Sequence, residues 1–190
     1  MTTTATMLLV VDMQKGFVSE KTTHIIPSIR QLIEHFTASA MPAVFTRFIN
    51  QPLSAHVQWI GWKRLMTVPE VELIDELSNL ATHVIDKQGY SVFTPELERL
   101  IEAYSVHTIV FCGIATDGCV LKSAVDGFER FIRPLVVEDA CASHGGDELH
   151  QAGLRLLRRF IGKRQIVTTL DIASELRWHE DLTGKTAAAG

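Results

Sequence analysis

A chain of 190 residues, 46% hydrophobic and 21% charged, has the length of one domain and enough apolar side chain to bury a core without cross-links. Disordered, collagen-like and low-complexity readings are excluded on composition. Eighteen Lys and Arg against 22 Asp and Glu leave a net charge of −4, and with no basic block neither nucleic acid nor an anionic membrane surface is an expected partner.

The residues after the start, 1–6, carry neither a positive charge nor the apolar stretch of a signal peptide. The first apolar run, residues 7–11, has strand length and ends at Asp12; a short continuous run of this kind suits a buried parallel strand. Ile25, Ile29, Leu32, Ile33 and Phe36 then recur at helical spacing, with Pro27 in the first turn, which predicts a helix over 25–36. Residues 43–46 read as a second strand. Residues 48–66 read as irregular and carry Phe48, Gln51, His56, Gln58, Trp59 and Trp62. Residues 68–80 are ambiguous, with a short helix as one reading.

Residues 83–87 are a third strand, and 95–104 a helix capped by Thr94. Residues 108–112 make the most buried-looking strand, ended by Gly113. A helix is expected from Cys119 to Arg130, with Val120, Leu121, Ala124, Val125 and Phe128 on one face. A strand at 135–138 precedes an amphipathic helix at 147–160, apolar at Leu149, Leu154, Leu156, Leu157 and Phe160. Residues 166–169 are a candidate last strand, and 183–190 read as a frayed tail. No apolar run approaches the ~20 residues of a membrane span.

Strands alternating with helices predict an α/β fold, a parallel sheet covered on both faces. Ligands on such sheets sit beyond the carboxyl ends of the strands. Asp12, Lys87 and Cys119 stand at or just past such ends. Cys119 follows the turn 113–118 and opens a helix, where free N–H groups and the helix dipole favour a thiolate. The same donors suit an oxyanion formed when sulfur attacks a carbonyl. A Lys87 ammonium would lower the thiol pKa further, and Asp12 is placed to take the thiol proton and pass it to a leaving nitrogen. Each residue also has a plain structural reading: a core cysteine, a turn-forming aspartate, a solvated lysine.

Asp12-Met13-Gln14-Lys15-Gly16-Phe17, Lys87-Gln88-Gly89-Tyr90-Ser91-Val92-Phe93 and Gly113-Ile114-Ala115-Thr116-Asp117-Gly118-Cys119-Val120 together resemble the isochorismatase-like cysteine hydrolases, over about residues 7–169. That family includes nicotinamidases, N-carbamoylsarcosine amidases, ureidoacrylate and biuret hydrolases, and isochorismatases. The resemblance implies a three-layer Rossmann-like parallel sheet with helices on both faces. It also implies a catalytic triad of Asp12, Lys87 and Cys119. A non-proline cis peptide between Ile114 and Ala115 is implied too, with the N–H groups of Ala115 and Cys119 forming an oxyanion hole. The implied reaction is hydrolysis of a small amide or ureido C–N bond through a thioester on Cys119.

The pattern departs from the metal-binding nicotinamidases, which carry an Asp-x-His pair and a further His after the second strand. Here residues 46–56 hold His56 alone, and no Asp occurs between Asp12 and Asp75. One His cannot build a two-His, one-carboxylate site, so no metal and no other cofactor is expected. Isochorismatases cleave a vinyl ether without needing the cysteine, so Cys119 points to the amidase branch. Vinyl-ether cleavage on the same scaffold is one alternative. A non-catalytic binding or thiol-redox protein is the other, disfavoured by the lack of a Cys-x-x-Cys pair.

Phe17, Tyr90 and Phe93 flank triad residues and are substrate-pocket candidates, with core packing the alternative for both phenylalanines. Trp59 and Trp62 are candidates for the pocket or for a subunit interface. Arg47 and Lys63 are weaker candidates for pairing with a substrate carboxylate, and His144 for a substrate contact. Cys112 reads as an inert core thiol and Cys141 as a residue following the strand at 135–138. The odd cysteine count suits reduced thiols and a cytoplasmic location. The partner expected is a small amide-type molecule, and the family implies a homo-oligomer.

Overall fold

The computed structural model describes residues 5–172 and residue 174. Six strands, β1 (Ala5–Val11), β2 (Ala43–Phe48), β3 (Val84–Lys87), β4 (Val106–Ile114), β5 (Arg133–Ala142) and β6 (Ile166–Val167), form one sheet in the order β3-β2-β1-β4-β5-β6. Every pairing is parallel. The helices are α1 (Ile26–Ala38), α2 (Ala55–Ile60), α3 (Asp75–Ser78), α4 (Pro95–Ala103), α5 (Leu121–Glu129) and α6 (Asp147–Phe160).

Alternation along β1 explains why its apolar run is unbroken. Leu8 and Val10 point to one side and join Ile29, Leu32, Ile33 and Phe36 of α1. Met7, Leu9 and Val11 point to the other and join Leu97 of α4, Ala124 of α5 and Leu154 and Leu157 of α6. A strand covered on both faces has no position where a polar residue is free of cost. The chain winds outward from β1 through β2 to β3, then returns to β4 on the other side of β1. The order therefore reverses between β1 and β4, the place where open α/β sheets leave a crevice at their carboxyl edge. Gly113 makes close pairing there possible: its φ is +109°, and a Cβ would lie 2.2 Å from the Val11 carbonyl oxygen.

Several elements differ from the sequence reading, each for a local reason. The strand expected at 135–138 runs to Ala142, because its polar interruption is satisfied at the sheet edge. Glu138 pairs with Arg158 at 2.6 Å, and Asp139 accepts a hydrogen bond from the Thr169 N–H. Cys141 consequently lies inside β5 rather than after it. The strand expected at 166–169 has only two residues. The 48–66 segment contains α2, whose first turn is capped by the Ser54 side chain accepting from the Val57 N–H. Residues 116–120 form a π-type turn with Gly118 outside helical geometry, so α5 starts at Leu121 and not at Cys119. On α6, Leu149, Leu156 and Phe160 are half-exposed, as is Phe128 on α5. The tail reading at 183–190 lies outside the described residues. Among the described residues no helix is long and apolar enough to cross a membrane.

Candidate active site

Three strands deliver three side chains to one point. Asp12 follows β1 with φ +49°, a left-handed conformation that Asp tolerates better than most residues. Its N–H donates to the Thr46 carbonyl at 3.2 Å, while its Oδ1 accepts from Thr46 Oγ1 at 2.7 Å. Lys87 ends β3 and reaches across the end of β2, its side chain 1% exposed. Its ammonium lies 2.7 Å from Asp12 Oδ2, and it donates to Cys119 Sγ at 3.3 Å and to the Gly89 carbonyl at 3.0 Å. Those contacts match the three protons of an ammonium, so a buried cation is held without an orphaned donor. The Phe48 ring lies 5.3 Å below the same nitrogen.

Burial acts against the Lys87 ammonium, but the Asp12 charge and then Cys119 outweigh it and raise its pKa. Burial pushes the Cys119 thiol up, the Asp12 charge adds to that, and Lys87 pulls it down. The net result is a pKa raised to about 12. That direction runs against the expectation of a thiolate prepared by Lys87 and a helix end. Cys119 is 8% exposed, sits in a π-type turn, and shares its ammonium with a carboxylate. Burial and the Asp12 charge thus both act against a thiolate at this position.

The turn that carries Cys119 is pinned from two sides. Ser123 Oγ donates to the Cys119 carbonyl at 2.6 Å and accepts from the Val92 N–H at 3.1 Å, which ties the turn to the loop after Lys87. On the other side, Thr116 Oγ1 and His150 Nδ1 of α6 are 2.7 Å apart. Gly153 lets α6 approach so closely that a Cβ would lie 2.8 Å from the Asp117 nitrogen. The Ile114–Ala115 peptide is cis. Gln14 closes the far side: its Nε2 donates to the carbonyls of Phe48 and Val71, and its Oε1 accepts from the Phe48 N–H.

Cys119 opens onto a cavity of about 220 Å³ lined by Phe17, Phe48, His56, Ile60, Trp62, Tyr90, Ala115, Gly118 and His144. The structure thus brings Phe17, Tyr90, Trp62, Ala115 and Cys119 together, with Asp12 and Lys87 behind the sulfur. It does not bring Trp59 or Phe93. Trp59 is 86% exposed, whereas its neighbour Ile60, 65% exposed, borders the cavity. Phe93 packs against α5, its ring 4.6 Å from the Arg130 guanidinium and close to Gly127. Arg47 is paired with Asp86 at 2.7 Å, and Lys63 is exposed. Cys112 is fully buried, and burial raises its pKa well above the ordinary thiol value. Burial likewise pushes the Cys141 thiol up.

Phe48, Ile60, Thr46 and His150 were not singled out as site residues by sequence. Only Gln14, inside the first motif, carried a signal. Thr46 and His150 act through hydrogen bonds across 34 positions each, which no local pattern reveals. Among the described residues, no group of three His, Cys, Asp or Glu side chains is placed to hold a metal ion.

The chain is similar to several known proteins. The chain is 29% identical over 192 aligned positions to the ureidoacrylate amidohydrolase RutB of Serratia proteamaculans, covering 83% of this chain and 77% of that protein. It superposes on N-carbamoylsarcosine amidase from Thermoplasma acidophilum with a TM-score of 0.75 and 25% identity, over 87% of this chain and 96% of the other. An isochorismatase-like hydrolase from Alkaliphilus metalliredigens gives a TM-score of 0.79 at 22% identity, over 90% and 99%, and so shares the fold. The isochorismatase domain model matches residues 6–171, nearly all of the described structure, and the chain belongs to the isochorismatase family.

Proposed function

We propose that the protein is a metal-independent amidohydrolase that cleaves the C–N bond of a small amide or ureido compound through a thioester on Cys119. One observation carries the reading: a single buried ammonium, Lys87, touches both the Asp12 carboxylate and the Cys119 sulfur at the floor of an open cavity. A buried Lys–Asp pair alone would be structural; a thiol added to it at a cavity floor is a nucleophile with a base. The names of the relatives, a ureidoacrylate amidohydrolase and an N-carbamoylsarcosine amidase, support the same chemistry.

The raised thiol pKa sets the order of events. Sulfur attacks the carbonyl carbon as its proton passes to Asp12, so no free thiolate accumulates first. The carbonyl electron pair moves onto oxygen, which the N–H groups of Ala115 and Cys119 receive. The C–N bond then breaks, the nitrogen leaves with the proton held by Asp12, and an acyl thioester remains. Water gives a proton to Asp12 and attacks the thioester. The second tetrahedral species expels sulfur, which recovers the proton, and the acid is released. Lys87 stays charged throughout and holds both partners in place.

The test is ammonia release from a panel of amides, ureides and carbamoyl amino acids, run on wild type beside Cys119→Ala. Release by wild type alone is expected. Equal release by both proteins would overturn the nucleophile and favour chemistry that does not need the sulfur.

A further inference from the structure

His150, Gly153, Leu154 and Leu157 recur along α6 at the spacing of one helix face. Leu154 and Leu157 are buried in the core cluster that holds Leu9 of β1 and Phe111 of β4. Gly153 lies against the turn before the nucleophile, where a Cβ would stand 2.9 Å from the Thr116 carbonyl carbon. His150, one turn earlier on the same face, brings Nδ1 to 2.7 Å from Thr116 Oγ1. A helix fixed by the core thus presents one polar side chain to that turn.

Thr116 stands between Ala115 and Cys119, the two residues whose N–H groups the proposed reaction uses. Of the three residues in that interval, Gly118 has no side chain, and Asp117 Oδ1 is buried with no hydrogen-bond partner. Among the described residues, the Thr116 hydroxyl supplies the interval's side-chain hydrogen bond to another element. Thr116 is fully buried, so its hydroxyl hydrogen needs an acceptor inside the protein. His150 Nδ1 is that acceptor, which assigns the neutral ring with its proton on Nε2. Burial holds the His150 imidazole below its usual range against the opposing charge of Asp147; His24 acts with burial, while Glu138 and Asp117 act against it. Neither Thr116 nor His150 borders the cavity, so loss of their bond should slow attack more than it weakens binding.

We propose that His150 is a positioning residue for the nucleophile: through the Thr116 hydroxyl it fixes the turn that sets the Cys119 sulfur against Lys87 and aims the Ala115 and Cys119 N–H groups. The proposal rests on the hydrolase reading for its consequence and on the Thr116–His150 contact for its geometry.

The experiment uses p-nitrophenyl acetate, which reports on the sulfur whatever amide the protein cleaves. In that reaction Cys119 sulfur bonds to the acetyl carbon, the ester C–O bond breaks, p-nitrophenolate leaves, and the thiol proton passes to Asp12. Pre-steady-state acylation is followed at pH 8, above the ordinary imidazole range. It is measured for wild type, Cys119→Ala, His150→Leu, His150→Asn, Thr116→Val, Thr116→Ser and the His150→Leu/Thr116→Val double variant, with thermal melting of each.

His150→Leu and Thr116→Val are each expected to slow saturated acylation by about tenfold, with less than about a threefold change in the half-saturating concentration. His150→Asn keeps an acceptor near the place of Nδ1, and Thr116→Ser keeps the hydroxyl. Both should return to within about threefold of wild type. The double variant should be no slower than the slower single variant, because one bond can be lost only once. Should His150→Leu fail to fold, Thr116→Ser against Thr116→Val makes the comparison from the other partner. A Cys119-dependent rate that His150→Leu and Thr116→Val leave unchanged overturns the proposal alone. So do single losses that multiply in the double variant, or an Asn variant as slow as Leu. Wild-type acylation no faster than that of Cys119→Ala overturns the hydrolase reading and this proposal together.

Discussion

The floor and the wall of the cavity are built by different means. The floor, Asp12, Lys87 and the turn at Cys119, is buried and held by directed polar contacts: Thr46 on Asp12, Gly89 on Lys87, Ser123 and the Thr116–His150 pair on the turn. The wall, from Phe17 through Trp62 and His56 to Tyr90, is held by ring packing and is only partly buried. Directed contacts among buried charges tolerate little change, because removing one partner strands the other. Ring packing tolerates substitution at the cost of contact area. Chemistry and specificity should therefore separate: floor variants lose turnover or folding, and wall variants lose binding.

The sharpest break in that comparison is Gly113→Ala, behind the floor. Its Cβ would meet the Val11 backbone at 2.2 Å at a φ of +109°, so neither strand can give way cheaply. A loss above about 3 kcal/mol of stability is expected, and near-wild-type thermal melting would contradict the packing described between β1 and β4. Lys87→Met comes next. It leaves Asp12 buried without its cation, which costs about 3–5 kcal/mol. It should also abolish detectable hydrolysis; chemical denaturation and activity together check this. Gly153→Ala should push α6 off the Asp117 backbone, 2.8 Å from the new Cβ, at about 1–3 kcal/mol. A fall in kcat larger than the change in KM is expected, since the turn at Cys119 moves with it.

Wall variants should behave in the opposite way. Phe17→Ala and Trp62→Ala are expected to raise KM by about tenfold, from the loss of about 1–2 kcal/mol of ring contact, with a smaller change in kcat. A variant of either residue that loses kcat alone would erase the distinction between wall and floor.

These two regions also differ in how far sequence reasoning reaches them. The run 7–11 ending at Asp12 was legible because a strand buried on both faces needs an unbroken apolar run, and a charge just after it stands at the carboxyl edge. Lys87 and Cys119 were legible as strand-end residues in motifs that resemble a known family. The upward push on the Cys119 thiol was not, because burial and the Asp12 charge arise only when the strands assemble. On the wall, Phe17 and Tyr90, expected there from their place beside Asp12 and Lys87, and Trp62, expected at the pocket or at an interface, lie at the cavity, whereas Trp59 and Phe93 lie away from it. A short helix such as α2 has no buried residue of its own, so no apolar periodicity in the sequence tells which of Trp59 and Ile60 borders the cavity. Phe93 is drawn to α5 by Gly127 and Arg130, contacts that adjacency to Lys87 does not announce. The extension of β5 through Glu138 and Asp139 was hidden for a similar reason, since Arg158 and Thr169, which satisfy them, lie 20 and 30 residues away.

The central claim is that Cys119 rests as a neutral thiol beside an Asp12–Lys87 ion pair and is deprotonated only as it reacts. Its most direct test is the pH dependence of alkylation of the free protein by iodoacetamide, followed at Cys119 by peptide mass spectrometry. With a pKa of about 12, the thiolate fraction and the rate should climb about tenfold per pH unit from pH 7 to 10 with no plateau, and modification should abolish hydrolysis. A rate already flat at neutral pH would mean a preformed thiolate and would contradict the account.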